Sequence, residues 1–481
     1  MRKYKGNLRD QWIDFKTWLK FYGLMIKFMA PHPLGLSKAM FKYPWMYDLL
    51  KVPGMISRHT EDVNGALLKT YCLTFLNVTE MTTAMLEDIF FHPEETVIID
   101  SMVPTVIVRA MGLRVFTPEH IFVVTMPMVD TQSTHKYMDY IENHGLPGDT
   151  CSYARITAAA VFANHCPPAS CIIASNLPCD SGQAAYTLIQ KSLGLPMYFI
   201  DVPYNFRDDE GLKIIQSELG HVIEFLEKQT GRKMDWDKLK ELCQRNNVTN
   251  EMELESREMR RSNHPPVVGF PPWTNGILWS FHDGGTKQAL RVYEAFHAIE
   301  KAAYEKNLSP IKNLRYRVVI WNPPTMMYPH IFNWLERCWG IGVLMDMMSY
   351  TNEVYYDTTS PDTMMKAVAF SMAMAPMSRH TRGDYDFFLS QFLGMAEDYR
   401  ADFIMNCNHM GCRNSMAMSG VMWEETRKRN IPLCVVDYEL MDARICSRQG
   451  IRDQISNFMR SVIGAEPLDA SLLVIDDAAS W

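Results

Sequence analysis

The sequence repeats one pattern four times: a short apolar strand, a loop, an amphipathic helix, and a second apolar strand set off by a glycine or a proline. This order is typical of parallel strands joined by helices. It predicts an α/β fold with two Rossmann- or flavodoxin-like parallel-sheet domains. The predicted strand pairs are TVIID and LRVF, SCIIASNLPC and LPMYFIDVPY, YRVVIWNPP and GVLMDMM, and DFIMNCNHMGC and IPLCVVDYE, which begin at residues 96, 113, 170, 195, 316, 342, 402 and 431.

The second and fourth repeats are the most alike. In each, an apolar strand ends near an asparagine, a cysteine follows a few residues later, and the second strand ends in an aspartate. These residues are Asn176, Cys179 and Asp201 in one repeat and Asn408, Cys412 and Asp437 in the other. Because parallel α/β sheets bind ligands at the carboxyl ends of their strands, both cysteines fall where chemistry is usually placed. The pattern therefore indicates a duplicated architecture.

We predict four parts in the chain. Residues 1–92 form a helical N-terminal extension, 93–207 a first α/β domain, 208–312 a helical connecting region and 313–481 a second α/β domain. The extension carries an apolar stripe at helical spacing, which we expect to dock on the chain's own body or on a partner subunit. An anionic membrane surface is the alternative, since residues 1–43 hold nine Lys and Arg against two Asp. The stripe consists of Trp12, Phe15, Trp18, Leu19, Tyr22 and Met25.

Composition excludes several classes of protein. A net charge of −7 over 481 residues argues against a general nucleic-acid binder, which needs an excess of cations. The longest uncharged stretch, 156–179, contains histidine and two adjacent prolines, so we expect buried interior and no transmembrane segment. No secretory signal opens the sequence, which predicts a cytoplasmic location. The eleven cysteines are then expected to be reduced thiols that pack, react or bind metal.

Common cofactor motifs are missing from the sequence. It has no Cys-x2-Cys pair for structural zinc, no glycine-rich phosphate loop and no serine nucleophile elbow. What remains is a set of thiols at loop positions: Cys151, Cys179 and Cys412. Any one of them alone is more typical of a packed core thiol. Three at strand ends of a duplicated fold favour a shared role, whereas the cysteines in or beside apolar runs are predicted to be core, namely Cys166, Cys171 and Cys434.

An ordered set of motifs resembles the 2-hydroxyacyl-CoA dehydratase and benzoyl-CoA reductase family. The motifs are CSYAR, SNLPCDSG, LPMYFIDVPYN, QTGRKMDWDKL and YELMDARI, beginning at residues 151, 175, 195, 229 and 438. The resemblance spans about residues 93–465. It implies that Cys151, Cys179 and Cys412 ligate one 4Fe-4S cluster, with one iron left open for the thioester carbonyl of the substrate. The segment NHMGCR is one residue longer than the family's N-R-S-C, so Cys407 is the alternative third ligand.

The resemblance also implies an activity. The chain is expected to be one subunit of an oxygen-sensitive, anaerobic radical dehydratase, a lyase that eliminates water from a 2-hydroxyacyl-CoA. Ordinary acid–base elimination fails because the C3 hydrogen is not acidic. An electron added to the thioester carbonyl gives a ketyl radical anion that expels the hydroxyl group, and the electron is then returned.

Several partners and site residues follow from the same resemblance. A separate ATP-dependent iron–sulfur activator supplies the electron, and a homologous second subunit completes a homo- or heterodimer. Ser101 is expected near the open iron, or else as a helix N-cap. His409 is expected to transfer protons or to hydrogen-bond the cluster. Three arginines are candidates for binding the acyl-CoA substrate: Arg155, Arg413 and Arg444.

Two other functions stay open from the sequence alone. One is a benzoyl-CoA reductase-like or other low-potential reductase subunit, an oxidoreductase that passes electrons into its substrate. The other is a non-catalytic partner subunit whose cluster only relays electrons. A catalytic subunit is expected to have a pocket for an acyl-CoA thioester beside the open iron.

Overall fold

Two four-stranded parallel sheets form the centre of the protein in a computed structural model that describes residues 8–60, 63–130, 132–206, 208–324, 328–350 and 354–475. All of the predicted strands form, and the predicted α/β fold is confirmed. The strands are β1 (Thr96–Ile99), β2 (Arg114–Phe116), β3 (Cys171–Ser175), β4 (Met197–Ile200), β5 (Tyr316–Trp321), β6 (Ile341–Asp346), β7 (Phe403–His409) and β8 (Leu433–Tyr438).

Helices surround both sheets. They are α1 (Leu8–Met29), α2 (Pro33–Lys42), α3 (Val52–His59), α4 (Gly65–Phe91), α5 (Thr105–Ala110), α6 (Met126–Val129), α7 (His135–Asn143), α8 (Ser152–Phe162), α9 (Asp180–Leu193), α10 (Asp209–Thr230), α11 (Trp236–Arg260), α12 (Phe270–Leu278), α13 (Lys287–Tyr304), α14 (Ile331–Trp334), α15 (Pro361–Ala373), α16 (Ser378–Thr381), α17 (Tyr385–Asp398), α18 (Arg413–Lys428) and α19 (Arg448–Phe458). Short 3-10 turns lie at Pro44–Lys51, Pro93–Glu95 and Ala470–Leu472, and π-helical turns at His120–Thr125, Trp279–Asp283, Leu335–Trp339 and Met459–Ile463.

The two sheets have the same strand order. The first runs β2-β1-β3-β4 and the second β6-β5-β7-β8, with every neighbouring pair parallel. In the first sheet Ile98 pairs with Phe116 on one side and with Ile172 on the other. The central strands β1, β3 and β7 are buried along their whole length, and β5 is buried over its last four residues. This explains why their sequences read as continuous apolar runs.

Matching side-chain hydrogen bonds join the carboxyl ends of β3 and β4 and those of β7 and β8. Nδ2 of Asn176 donates to Oδ1 of Asp201 at 2.5 Å, and Nδ2 of Asn408 donates to Oδ1 of Asp437 at 2.5 Å. The backbone N–H of each aspartate in turn donates to a side chain on the helix after its strand, Glu218 on α10 at 3.2 Å and Gln454 on α19 at 2.8 Å. The duplication predicted from the second and fourth repeats is therefore confirmed.

Helix α1 packs on α4 with a face that includes only part of the predicted stripe. Its buried residues include Phe21 and Phe28, whereas Trp12, Phe15, Leu19 and Tyr22 are exposed. The expectation that these four side chains dock on the chain's own body is therefore wrong. The helix carries apolar residues on two faces, and helical spacing alone does not tell which face meets α4. Trp18 and Met25 are half-buried.

Segment 156–179 forms the body of α8, a loop and strand β3, and its helix and strand are mostly buried, as predicted, while Asn164 and Pro168 in the loop are exposed. Ile156, Ile172 and Ile173 have no exposed surface. Over the ranges that the structure describes, none of the helices combines the length and apolar character that a bilayer crossing requires.

Candidate metal centre

Three cysteines occupy the N-cap positions of three helices. Cys151 precedes α8, Cys179 precedes α9 and Cys412 precedes α18. The backbone N–H of Ser415 donates to Sγ of Cys412 at 3.4 Å. Because a helix N-terminus presents unpaired N–H groups and the positive end of the helix dipole, each position favours a thiolate. We call these residues the three-cysteine centre.

Contacts between the loops bring the three cysteines together. An added Cβ on Gly411 would lie 3.2 Å from Cα of Cys151, so the loop before Cys412 rests against Cys151. Nη1 of Arg413 lies 3.3 Å from Oδ2 of Asp180, which joins the residues that follow Cys412 and Cys179. The loops of Cys179 and Cys412 follow the carboxyl ends of β3 and β7, so both sheets contribute to the centre. Cys151 lies between α7 and α8, so the expectation that it stands at a strand end is wrong.

The three thiols do not form a single-ion site as they stand. All three cysteines are free, and their Sγ atoms do not all lie within 4.8 Å of one another. Sulfurs around one tetrahedral zinc ion lie about 3.8 Å apart, as follows from a Zn–S bond of about 2.3 Å. A polynuclear group would offer a separate metal atom to each thiolate and needs a wider spacing than one ion does.

Burial keeps these thiols protonated unless a cation is present. It raises the pKa of Cys151 well above the usual range, and the neighbouring charges of Cys412, Cys179 and Glu439 raise it further. Burial also raises the pKa of Cys179 and Cys412, partly offset by backbone N–H groups at the start of α9 and α18. Three thiolates therefore require a strongly positive group between them, which a bound metal cluster provides.

His409 connects the centre to the second sheet. This buried residue ends β7, and its Nε2 lies 3.4 Å from Sγ of Cys151. The backbone N–H of Leu440 donates to Nδ1 at 3.3 Å, which places the proton of the neutral ring on Nε2. Burial lowers the pKa of His409, so the ring is neutral and donates to the cysteine sulfur.

Ser101 lies at the carboxyl end of β1 and is buried. Its Oγ is 3.4 Å from Oη of Tyr153, which belongs to α8 two residues after Cys151. The N-cap of α5 is Pro104, so the alternative that Ser101 caps this helix is wrong. The neighbouring Asp100 accepts from Oγ of Ser175 at 2.9 Å and thereby ties the end of β1 to the end of β3.

The three candidate arginines differ in position. Arg413 is exposed beside Cys412, with 79% of its side-chain surface accessible. Arg444 donates to Asp442, Glu142 and Asp139, so acidic side chains already surround it. Arg155 is fully buried and donates to Glu142 at 2.5 Å. Substrate binding stays a prediction for all three, and the structure favours it least for Arg155.

The other cysteines lie apart from the centre. Cys166, Cys171 and Cys434 are buried, which confirms that they are core residues. Cys407 is buried in β7 and is 5% exposed. Burial raises the pKa of its thiol, and the neighbouring Cys434 raises it further. Cys412 caps a helix in the loop that contacts Cys151, whereas Cys407 lies inside a strand, so the geometry favours Cys412 over Cys407 as the third ligand.

Sequence reasoning missed four residues of the site. Tyr153 holds Ser101, and Gly411 lets its loop approach Cys151. Oε1 of Glu439 lies 3.6 Å from Nδ1 of His409, and Nη2 of Arg382 donates to the carbonyl of Asn176 at 2.6 Å. Tyr153, Gly411 and Glu439 lie inside or beside the motifs already noted, so the sequence could have indicated them. Arg382 follows α16 and lies outside every motif, so the sequence did not indicate it.

A cavity of about 80 Å³ begins one residue after Ser101. Its walls come from the start of α5, the π-helical turn after α12 and the end of α15. Among the described residues that line it there is no lysine or arginine. Apolar lining residues include Met102, Val106, Trp279, Phe281 and Met374.

Comparison with known proteins identifies the family. The model of the 2-hydroxyglutaryl-CoA dehydratase D-component family matches residues 100–462, well over half of the chain. The chain belongs to this family. The match confirms the resemblance drawn from the motifs, and it leaves the N-terminal extension outside.

The chain is also similar to two curated proteins. It is 26% identical over 218 residues to the (R)-phenyllactyl-CoA dehydratase alpha subunit of Clostridium sporogenes, covering 44% of this chain and 52% of the relative. It is 31% identical over 102 residues to the alpha subunit of (R)-2-hydroxyglutaryl-CoA dehydratase of Acidaminococcus fermentans, covering 21% of each. The chain thus spans about half the length of one relative and about a fifth of the other.

Proposed function

We propose that this chain is the iron–sulfur subunit of a radical 2-hydroxyacyl-CoA dehydratase, with a 4Fe-4S cluster on Cys151, Cys179 and Cys412. The observation that carries the proposal is the convergence of three N-cap thiols from both halves of a duplicated D-component fold. Three protein thiolates leave one metal atom of such a cluster without a protein ligand. When bound, the cluster supplies low-potential electrons and a Lewis-acidic position for the thioester carbonyl.

The chain's own residues hold and shield this site. The three helix N-termini stabilise the thiolates, and Nε2–H of His409 donates to the sulfur of Cys151. His409 is thus a positioning residue, which supports the second of its two predicted roles. Ser101, whose Oγ lies 3.4 Å from Oη of Tyr153, is the candidate catalytic residue for contacting the substrate.

We favour a catalytic subunit over a simple electron relay because a mainly apolar cavity begins next to Ser101. Its volume of about 80 Å³ fits a small apolar part of the acyl group and not a whole CoA thioester. An acyl group with a second carboxylate would be buried there without a cationic partner, at a cost of several kcal/mol. We therefore favour an apolar alkyl or aryl 2-hydroxyacyl group, such as the phenyllactyl group named for one relative.

The remaining partners complete the proposal. They are an acyl-CoA substrate, a homologous second subunit, as the names of the alpha-subunit relatives favour, and an ATP-dependent iron–sulfur activator. The location proposed for the complex is cytoplasmic and anaerobic.

Anaerobic turnover tests this function. The chain, copurified with its partner subunit, is mixed with activator, ATP, a low-potential reductant and either (R)-phenyllactyl-CoA or (R)-2-hydroxyglutaryl-CoA. We expect the unsaturated acyl-CoA to form, faster from the phenyllactyl substrate. Ser101→Ala keeps its iron and loses roughly 100- to 1000-fold in kcat, by analogy with the removal of one hydrogen-bond donor at a reacting oxygen.

An electron-relay subunit predicts a different outcome. The EPR signal of the reduced chain would then be unchanged by either acyl-CoA, and Ser101→Ala would turn over at the wild-type rate. A dehydratase needs only a catalytic quantity of electrons. If the electrons consumed instead increased in proportion to the product formed, the chain would be a reductase subunit.

A further inference from the structure

Two imidazoles and one carboxylate meet in the N-terminal extension, away from the three-cysteine centre. His32 immediately precedes α2, Glu87 lies near the end of α4, and His92 immediately follows α4. One donor atom from each residue lies within 4.8 Å of the other two. No other trio of Cys, His, Asp or Glu donors in the described part of the chain is this close.

Packing holds the backbone of these residues in place. The ring of His32 stacks on Phe91, with centroids 4.2 Å apart and the planes 23° apart. An added Cβ on Gly35 would lie 2.8 Å from Cε1 of Phe91, so the first turn of α2 can approach α4 only with a glycine. On the other side, the carbonyl of His92 accepts from Oγ1 of Thr96 at 2.8 Å.

The donor groups are not committed to other contacts. The side chains of His32, Glu87 and His92 make no hydrogen bond or ion pair with any other residue that the structure describes. The nearby arginines are used elsewhere. Arg114 binds Asp88 at 2.5 Å, and Arg232 binds Glu95 at 2.5 Å. The carboxylate of Glu87 is thus left as the anionic donor beside two imidazoles.

We propose that His32, Glu87 and His92 bind a first-row divalent cation, with Zn²⁺ as the best match. Two imidazoles and one carboxylate are a common donor set for this ion. Donors around tetrahedral zinc lie about 3.4 Å apart, as follows from bonds of about 2.0–2.1 Å. The three side chains therefore close on the ion by rotations that move their donor atoms by about an ångström. Water fills the fourth position.

The ion ties the N-terminal extension to the first sheet. It joins the beginning of α2 to the end of α4, and α4 leads through a short turn into β1 (Thr96–Ile99). The carboxyl end of β1 carries Asp100 and Ser101. All three ligands precede residue 100, where the family match begins, so this site is independent of the three-cysteine centre.

Zinc binding to the full chain tests the proposal. Equilibrium dialysis against micromolar Zn²⁺, followed by elemental analysis, is expected to give about one zinc per chain in the wild type. The variant with Cys151→Ser, Cys179→Ser and Cys412→Ser retains that zinc, which separates the site from the thiols. Loss of a residue that only hydrogen-bonds a ligand costs about 10- to 100-fold in metal affinity. We expect a larger loss of zinc affinity both in Glu87→Gln and in the double variant His32→Gln, His92→Gln, because these changes remove the ligands themselves.

A control and a second readout make the outcome decisive. His221→Gln removes an exposed histidine on α10 that lies 3.6 Å from Glu218, and it is expected to bind zinc like the wild type. Zinc also raises the Tm of the wild type and of His221→Gln but not that of Glu87→Gln, whose half-exposed side chain can change without unfolding the chain. Equal zinc content in Glu87→Gln and the wild type, or no zinc in the wild type, would overturn the proposal.

Discussion

Nε2 of His409 lies 3.4 Å from Sγ of Cys151, and this contact joins the second sheet to a helix of the first half of the chain. The donor is fixed, because the backbone N–H of Leu440 occupies the other ring nitrogen. A hydrogen bond to a ligand sulfur stabilises the more negative, reduced state of an iron–sulfur cluster.

Replacing His409 should therefore lower the reduction potential of the bound cluster. We expect His409→Leu to keep its iron and to shift the potential by roughly −40 to −60 mV, taking about 1 kcal/mol for the lost hydrogen bond. An anaerobic redox titration followed by EPR measures the shift, with His221→Leu as the control on an exposed histidine. An unchanged potential would show that the contact has no electronic role.

Gly411 should be required for the approach of its loop to Cys151. A Cβ at this position would lie 3.0 Å from Oε1 of Glu439 and 3.0 Å from Cε1 of His409, so Gly411→Ala displaces the loop. We expect the free energy of unfolding to fall by about 1–3 kcal/mol and iron content to drop.

Gly420 is the matched control for this change. It lies in α18, where an added Cβ meets nothing within 4 Å, so Gly420→Ala should stabilise the helix by about 0.5–1 kcal/mol. Chemical denaturation and iron analysis compare the two variants. Similar behaviour of both would contradict the steric argument.

Asp283 should make stability fall as the pH rises. Both of its carboxyl oxygens are buried without a hydrogen-bond partner, and burial raises its pKa from 3.8 to about 7 despite the nearby Arg109. The folded chain thus holds a proton that the unfolded chain releases at lower pH. The contribution to stability is complete below about pH 4 and is lost as the pH rises through 7.

Asp283→Asn removes this dependence. Above pH 7 the variant should be more stable than the wild type by up to about 4 kcal/mol, which is the free energy that corresponds to the rise in the pKa of Asp283 on folding. Below pH 4 the difference disappears. Urea denaturation at pH 5 and pH 8 measures it, with the exposed Asp149→Asn as the control. A constant difference between the two pH values would refute the proposed protonation.

Arg155 and Arg413 should behave differently when replaced. Arg155→Met leaves buried Glu439 without its arginine, whereas Asp442 keeps Arg444, and we expect a loss of about 3–5 kcal/mol in unfolding free energy. Arg413→Ala removes an exposed ion pair and should cost no more than about 1 kcal/mol. If Arg413 contacts the CoA moiety, its replacement raises KM at constant kcat. Thermal denaturation and steady-state kinetics separate the two roles.

Much of the fold could be predicted from the sequence because parallel strands buried on both faces leave continuous apolar runs. The Asn176–Asp201 and Asn408–Asp437 contacts show why the two similar repeats have the same pattern. The exposed face of α1 could not be predicted, because the helix is apolar on two sides and the sequence does not say which side meets α4.

The site was only partly accessible to sequence reasoning. Cys151, Cys179 and Cys412 stand at recognisable loop positions, so their proximity could be anticipated, while their role as ligands stays a prediction. The contacts of Gly411 and the tautomer of His409 depend on how the two halves of the chain meet. His32, Glu87 and His92 belong to no spacing motif, since only the packing of α2 on α4 brings them together.

Anaerobic iron and sulfide analysis with EPR tests the central claim most directly. The samples are the wild type, Cys151→Ala, Cys179→Ala and Cys412→Ala, with Cys407→Ala as the control on a buried thiol in β7. The account predicts about four irons and four sulfides per chain in the wild type and in Cys407→Ala, and loss of the cluster in the other three. Wild-type protein without iron under strict anoxia, or a cluster lost only in Cys407→Ala, would contradict it.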